Sequence, residues 1–154
     1  MSKNTIIALL AIWIFVLVGC GAEGVEKVDN IEDIAGLWQR ILVDGDTQVV
    51  EFCNHADDGT WICADSVEKV TGQEPSSGTT SVGKYWFEGP QYYDTIDHGE
   101  LMGSNCANEG VYEILLLESG NLKYELIEDE CDGRISAILG SGSTEGEIEW
   151  APVP

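Results

Sequence analysis

The sequence is poor in positive charge. Only 7 Lys and Arg residues stand against 28 Asp and Glu residues, so the formal net charge of the 154-residue chain is −21 at pH 7. Nucleic acids and anionic lipid surfaces repel such a chain, and we expect no nucleic-acid partner. The acidity is compatible with a basic protein partner, with association of divalent ions or with a salty habitat.

The sequence also lacks the short motifs of common catalytic and metal sites. It contains no phosphate loop, no G-x-S-x-G turn, no H-E-x-x-H motif and no C-x-x-C pair. An acidic group at Glu128, Asp129, Glu130 and Asp132 does not have the spacing of an EF-hand loop, and we interpret it as a solvated strand end. We therefore expect no metal and no cofactor, and we favour a binding protein over an enzyme.

No apolar run in the sequence is long enough to cross a membrane. The longest, from Ile6 to Val18, has thirteen residues, whereas a spanning helix needs about 20. Its length, together with Lys3 before it, is typical of a secretory signal peptide.

The end of this run, Leu17-Val18-Gly19-Cys20, resembles the lipobox of bacterial lipoproteins. The resemblance implies cleavage before Cys20 and acylation of the new terminus, and two or more acyl chains anchor a protein stably. We therefore predict a signal peptide at 1–19, a polar tether at 20–30 and one domain at 31–152. The predicted location is the bacterial cell envelope, outside the cytoplasm and attached to a membrane through the lipid anchor.

Four cysteines remain when Cys20 is set aside, an even number in a compartment where disulfides persist. Residues 57–59, Asp-Asp-Gly, predict a three-residue hairpin loop with glycine in the left-handed position. Counting outward from this loop places Cys53 directly opposite Cys63 on one face, within reach of a disulfide. We predict a Cys53–Cys63 bridge.

A second hairpin loop is predicted at 118–120, Glu-Ser-Gly, with Leu117 opposite Asn121. Extending this register brings Cys106 close to Cys131, and we predict that these two residues form the second bridge. The apolar residues that share one face of this hairpin are Tyr112, Ile114, Leu116, Leu122, Tyr124 and Leu126.

Most of the chain after Gly36 is typical of short strands separated by Gly, Asp, Asn and Ser. Before it, residues 30–34 predict one helical turn capped by Asp29 or Asn30. A meander of hairpins removes its edges by closing, so we predict an all-β, antiparallel up-and-down barrel of eight to nine strands, with a β-sandwich as the alternative. Long loops are expected at 71–81 and 97–105. The predicted strands are 37–43, 47–54, 60–67, 82–88, 91–96, 110–117, 121–129, 133–139 and 145–150.

Gly36-Leu37-Trp38, directly after the predicted helical turn, resembles the G-x-W motif that opens the first strand of lipocalins. The resemblance implies a barrel over most of 30–150, with Trp38 packed in its closed end and a basic residue from a late strand across the indole ring. Arg134 is placed to be that residue, and such a contact contributes about 0.5 to 2 kcal/mol. The Thr-Asp-Tyr motif of lipocalins is absent, so the resemblance is to lipocalin-like barrels of the calycin superfamily in a broad sense.

Aromatic residues are dense in the middle of the chain, where alternate side chains of a strand either line an apolar cavity or fill the core. His55 lies beside the loop at 57–59, and we interpret it as a solvated residue. His98 lies in a predicted long loop and is kept as a candidate for binding or catalysis. The candidate ligand-binding residues are Tyr85, Trp86, Phe87, Tyr92, Tyr93, His98, Tyr112 and Tyr124.

These features favour a membrane-anchored, extracytoplasmic, lipocalin-like protein that binds or carries a small hydrophobic or amphipathic ligand. Two alternatives stay open. A filled barrel would act as an interaction or inhibitor module on a basic partner, with binding that weakens as salt is added. A barrel enzyme of isomerase or hydrolase type would use His98 with a nearby carboxylate or tyrosine.

Overall fold

The computed structural model of the chain describes residues 25–44, 47–72, 81–99, 106–140 and 148–154. These residues form nine strands, two short α-helices and one 3₁₀ turn. The helices are α1 (Val67–Val70) and α2 (Asp132–Leu139), and the 3₁₀ turn is Ile31–Asp33. The strands are β1 (Glu26–Val28), β2 (Gly36–Asp44), β3 (Thr47–His55), β4 (Thr60–Ala64), β5 (Ser81–Glu88), β6 (Gln91–His98), β7 (Gly110–Leu116), β8 (Leu122–Glu128) and β9 (Glu149–Pro152).

Eight of these strands form a closed antiparallel barrel. Strands β2 to β8 pair in chain order, and β9 pairs with both β8 and β2, which closes the sheet. Strand β1 is an additional strand. It pairs with β7 beyond Gln91, the residue at which β6 begins. The prediction of an all-β up-and-down barrel is confirmed, and the architecture is compatible with a lipocalin-like fold.

The two ends of the barrel differ. One end, here called the closed end, carries the three tight hairpins β3–β4, β5–β6 and β7–β8. Gly59 and Gly120 adopt φ of 81° and 82°, the left-handed conformation predicted for their loops. The Asn30 side chain caps the 3₁₀ turn by accepting from the Asp33 amide, and Ile34 at its end accepts from the Trp38 indole at 2.8 Å. Helix α2 lies at the opposite end, which we call the α2 end.

Alternate side chains of each strand point into the barrel, as a two-residue period requires. The interior is filled mainly by aromatic rings, and the tyrosines of neighbouring strands contact one another edge to face or stacked. Seven inward aromatic residues expose less than a tenth of their surface: Trp38, Trp61, Tyr85, Tyr92, Tyr112, Tyr124 and Trp150.

Both predicted disulfides are present. Cys53 faces Cys63 across β3 and β4 in the predicted register, and the two are bonded. Cys106 is bonded to Cys131, which attaches the segment before β7 to the start of α2. The second hairpin also has the predicted register, with the Leu117 amide donating to the Asn121 carbonyl.

The strand predicted at 133–139 is wrong, because this segment is helix α2. Cys131 caps the helix through its sulfur, which accepts from the Arg134 amide at 3.2 Å, and Gly140 ends it. The apolar residues Ile135, Ile138 and Leu139 have helical spacing, and all three pack against the core. A helix at this position covers the α2 end of the barrel interior.

Further boundaries differ from the prediction. The strand predicted at 145–150 is β9, Glu149–Pro152, and β6 extends to His98, which was predicted to lie in a long loop. Strand β4 ends at Ala64 and is followed by α1, so helical structure is not confined to the N-terminal turn. Residues 26–28, within the segment predicted as a tether, form β1, because Val28 buries its side chain in the core. The predicted signal peptide and Cys20 lie outside the described residues. No helix among the residues that the structure describes has the length and apolarity needed to cross a bilayer.

Candidate functional site

A cavity of about 40 Å³ lies inside the barrel beneath α2. It has space for about three water-sized molecules, since one water needs roughly 10 to 15 Å³ of this volume. Ala137 and Ile138 of α2 form one wall, and the Cys53–Cys63 disulfide contributes to another. The other lining residues are Arg40, Glu51, His55, Trp61, Asp94, Ile96, Tyr124, Arg134 and Trp150.

Three of the nitrogens on the lining side chains have no hydrogen-bond partner among the described residues. They are Nη1 of Arg40, Nδ1 of His55 and Nε1 of Trp150. Their side chains are only 3, 7 and 5% exposed, so bulk water does not solvate these atoms. A buried polar group without a partner costs about 1 to 3 kcal/mol. A group that accepts hydrogen bonds inside the cavity would therefore be stabilised.

Arg40 uses one edge of its guanidinium to bind Glu51, and the Nη1 atom on the other edge has no partner among the described residues. Its Nε donates to Oε2 of Glu51 at 2.7 Å, and Nη2 donates to the same oxygen. The guanidinium carbon also lies 4.5 Å above the centre of the Trp150 ring, a favourable cation–π distance. Burial lowers the pKa of Arg40, and Glu51 opposes this shift. Among the described residues, Nη1 is then the one nitrogen of this guanidinium that has no partner.

His55 is a buried residue of β3 and lines the cavity, so its interpretation as a solvated loop residue is wrong. It lies two positions after Cys53 and therefore shares the inward face. Its ring meets Tyr85 edge to face at 5.1 Å. Burial lowers the pKa of His55 to about 4, so the imidazole is neutral at pH 7. A neutral imidazole has one nitrogen that donates and one that accepts.

Asp94 provides the carboxylate of the cavity that has no ion-pair partner. It points inward from β6 and accepts from the Trp61 indole at 3.2 Å and from the Tyr92 hydroxyl at 3.3 Å. Burial raises the pKa of Asp94 to about 7. The Trp61 ring lies against Gly83 of β5, where a Cβ would come within 2.6 Å of a ring atom. Glycine at this position is required for the ring to fit.

Arg134 anchors α2 to the barrel wall. Its Nε and Nη2 donate to the two carboxylate oxygens of Asp129 at 2.6 and 2.7 Å, and both side chains are almost completely buried. Nη1 and Nη2 also donate to the carbonyls of Asp94 and Asn108. The charge of Arg134 is therefore matched by Asp129. Within the acidic group at 128–132, Asp129 is a buried structural residue and not part of a solvated strand end.

The predicted contact of Arg134 with Trp38 is replaced by a different pair. The Trp38 indole is bound to the Ile34 carbonyl near the closed end, whereas Arg134 binds Asp129 at the α2 end. In the part of the chain that the structure describes, the arginine above a tryptophan ring is Arg40, and the tryptophan is Trp150. Gly36, the first motif residue, opens β2 as expected, with φ of 138°.

Of the candidate ligand-binding residues, only Tyr124 lines the cavity. Tyr85, Tyr92 and Tyr112 fill the core, and Phe87 packs against it. Trp86 and Tyr93 stack on each other at 5.4 Å on the outer face of β5 and β6. His98 is exposed at the end of β6 and does not line the cavity.

A groove of about 290 Å³ lies on the outside of the barrel where β9 begins. Its apolar part is formed by Ile41, Val50, Ile148 and Ala151, and Ile41 is 56% exposed. Arg40 borders both this outer groove and the interior cavity. Strand β9 pairs with β2 only at Trp38 and Gln39. Among the described residues, the part of β2 that continues from Arg40 toward the α2 end therefore has no paired neighbour on this side.

Comparison of the chain with protein-family models, with curated proteins and with solved structures finds no match.

Proposed function

We propose that this chain is a lipid-anchored, extracytoplasmic barrel that binds a small amphipathic molecule. The polar end of the ligand occupies the interior cavity, and its apolar part lies in the outer groove. The observation that carries this proposal is that three unpartnered buried nitrogens belong to side chains that line one cavity. Native proteins satisfy nearly all buried polar groups, and exceptions mark functional sites or sites filled by water or a ligand.

The size of the cavity limits the ligand. About 40 Å³ accommodates a polar group of three or four non-hydrogen atoms, but not the chain of a lipid. The aromatic interior is occupied by its own side chains, so the ligand of this proposal does not lie among Tyr85, Tyr92 and Tyr112. The apolar part therefore needs another surface.

The outer groove supplies this surface. Arg40 lines both this groove and the cavity, and the exposed isoleucine and valine side chains of the groove offer apolar area. Covering such side chains contributes about 25 cal/mol per Å² of apolar surface removed from water. A ligand that reaches past Arg40 would use both the polar and the apolar part of the site.

Calorimetric titration of the full chain carrying Cys20→Ser with eight-carbon ligands tests this proposal. The ligands are the amide, the carboxylate, the alcohol and the amine of the same chain length. We expect at least one ligand to bind. Arg40→Lys should remove the part of the affinity that comes from the polar end of this ligand. Ile41→Asn should weaken binding about tenfold, which corresponds to about 1.4 kcal/mol.

Ile127→Asn is the matched control, because Ile127 is a similarly exposed isoleucine, on β8, that does not line the groove. Equal effects of Ile41→Asn and Ile127→Asn would contradict the use of the outer groove. Absence of binding by all four ligands would contradict the proposal as a whole.

The filled interior favours a second candidate function, an interaction module for a basic partner. Such a module needs no cavity, and the surplus of 21 negative charges on the chain provides the attraction. This candidate predicts binding to a basic protein that weakens steeply as the salt concentration rises from about 50 to about 500 mM, because added ions screen the attraction between the charges. Binding of the uncharged ligands, the amide and the alcohol, is expected to change little with salt, so titrations of these ligands and of a basic protein over the same salt range separate the two functions.

A further inference from the structure

We infer that the interior cavity takes an uncharged carboxamide group and discriminates against carboxylates. This inference rests on the proposed function for its biological meaning, because it specifies the polar end of the ligand. It concerns the chemistry of the cavity, however, and is testable with probes that have no apolar part.

The charges around the cavity are already matched in pairs. Glu51 neutralises Arg40 through Nε and Nη2, and Asp129 neutralises Arg134 through a two-point contact. Neither arginine retains an unmatched positive charge for an incoming anion. Burying an ion without a counter-charge is strongly unfavourable.

Asp94 strengthens this discrimination. It is the remaining acid of the cavity wall, it is buried, and it lies among Arg134, Asp129, Tyr92 and Tyr124. Where Asp94 is ionised, a carboxylate in the cavity would add a second negative charge beside it. The surplus of acidic residues over the whole chain acts in the same direction.

The unpartnered atoms match the hydrogen-bonding groups of an amide. Nη1 of Arg40 and Nε1 of Trp150 are donors only, and one carbonyl oxygen has two lone pairs to accept from both. His55 is neutral, and in the tautomer that carries its proton on Nε2 the Nδ1 atom accepts from the amide N–H. A carboxylate offers no donor to this tautomer, and an alkyl ammonium ion offers no acceptor to Arg40 or Trp150.

Formamide and formate test the inference as a matched pair, since each has three non-hydrogen atoms and fits about 40 Å³. The full chain carrying Cys20→Ser is titrated with each compound while the indole N–H resonances of its tryptophans are followed by ¹H–¹⁵N NMR. The Trp150 resonance is assigned with Trp150→Phe. Trp38, whose indole is bonded to Ile34, serves as an internal reference.

We expect formamide to shift the Trp150 resonance saturably in the millimolar range and to leave Trp38 in place. Formate is expected to bind at least tenfold more weakly at pH 8. Arg40→Lys keeps a positive charge opposite Glu51 but removes the guanidinium, and with it the donor at the Nη1 position. It should therefore abolish the formamide shift while the other indole resonances keep their positions.

Saturable binding of formate with an affinity equal to or above that of formamide would overturn the amide assignment. No saturable shift of Trp150 with either probe would also overturn it. In both cases the eight-carbon alcohol or carboxylate can still bind, so the proposed function is judged by its own titrations. If those fail while formamide binds, the cavity chemistry stands and the amphipathic ligand is rejected.

Discussion

At the scale of single residues, the carboxyl group of Asp94 is a buried acid that forms no ion pair with the described residues. Burial raises its pKa to about 7, although the charge of Arg134 and the hydrogen bonds from Trp61 and Tyr92 support the ionised form. The usual pKa of an aspartate is about 3.9. The folded protein therefore holds this proton over a pH range in which the unfolded chain releases it.

We predict that Asp94→Asn makes the free energy of unfolding less dependent on pH. Stability falls with rising pH wherever the folded state binds more protons. For wild type, the Asp94 contribution is complete below about pH 4, is lost between about pH 4 and 7, and is absent above. The slope is about 1.4 kcal/mol per pH unit at most. Asparagine keeps an acceptor for Trp61 without this loss, so the variant should gain stability relative to wild type as the pH rises.

Urea unfolding at pH 5, 6, 7 and 8 measures this difference. Asp97→Asn is the matched control, because Asp97 lies on the same strand and is exposed. The low pKa of His55 gives an opposing trend near pH 5, but it is common to all three proteins and cancels in the differences. Parallel curves for wild type and Asp94→Asn would show that Asp94 is not the group responsible.

The residues of the cavity were only partly predictable from the sequence. The register that pairs Cys53 with Cys63 also turns His55 inward, because side chains two positions apart on a strand share a face. The burial of His55 was therefore predictable from the same register. The contact of Arg40 with Trp150 did not, because it joins the first and last strands of the barrel. Such a contact exists only after the sheet closes, and no local pattern encodes it.

At the scale of elements, the hairpins were predictable and α2 was not. Each hairpin depends on a loop of a few residues with glycine in a left-handed conformation, so its register is a local property. In α2 the residues after Cys131 are compatible with both strand and helix, and the deciding interactions are the cap by Cys131 and the burial of Arg134 against Asp129. The helical spacing of Ile135, Ile138 and Leu139 was the signal that favoured the helix.

We predict that Cys131 contributes to α2 both as a disulfide partner and as a cap. The double variant Cys106→Ser/Cys131→Ser loses the bridge, about 3 to 4 kcal/mol for a separation of 25 residues. Serine can still accept from the Arg134 amide, whereas Cys106→Ala/Cys131→Ala also loses the cap, about 1 kcal/mol more.

Hydrogen exchange of the amides at 132–139, together with urea midpoints, distinguishes these contributions. We expect faster exchange in α2 for both variants and the fastest for the alanine pair. Cys53→Ser/Cys63→Ser is the control, since that bridge joins β3 to β4 and should leave exchange in α2 close to wild type. Indistinguishable serine and alanine pairs would contradict a capping role of Cys131.

At the scale of the whole molecule, the path of β1 sets which end of the barrel lies near the predicted lipid anchor at Cys20. Glu26 pairs with Leu116, the last residue of β7, so the chain enters at the closed end. Val25 follows Cys20 by five positions, a reach of at most about 18 Å. If Cys20 is acylated as predicted, the closed end is held near the bilayer, and the cavity and α2 lie toward the far end.

Fluorescence energy transfer to labelled lipid head groups tests this orientation in the acylated chain reconstituted in nanodiscs. The donor is attached at Ser119→Cys, in the closed-end hairpin, or at Asp97→Cys, at the α2 end; both positions are exposed. Six positions of β6, from 97 to 91, and three of β7, from 113 to 116, separate the two levels, on the order of 30 Å along the strands. We expect stronger transfer from position 119 than from position 97, and no transfer from either after Cys20→Ser. Stronger transfer from position 97 would mean that the α2 end faces the membrane, and the ligand would then enter from the lipid side.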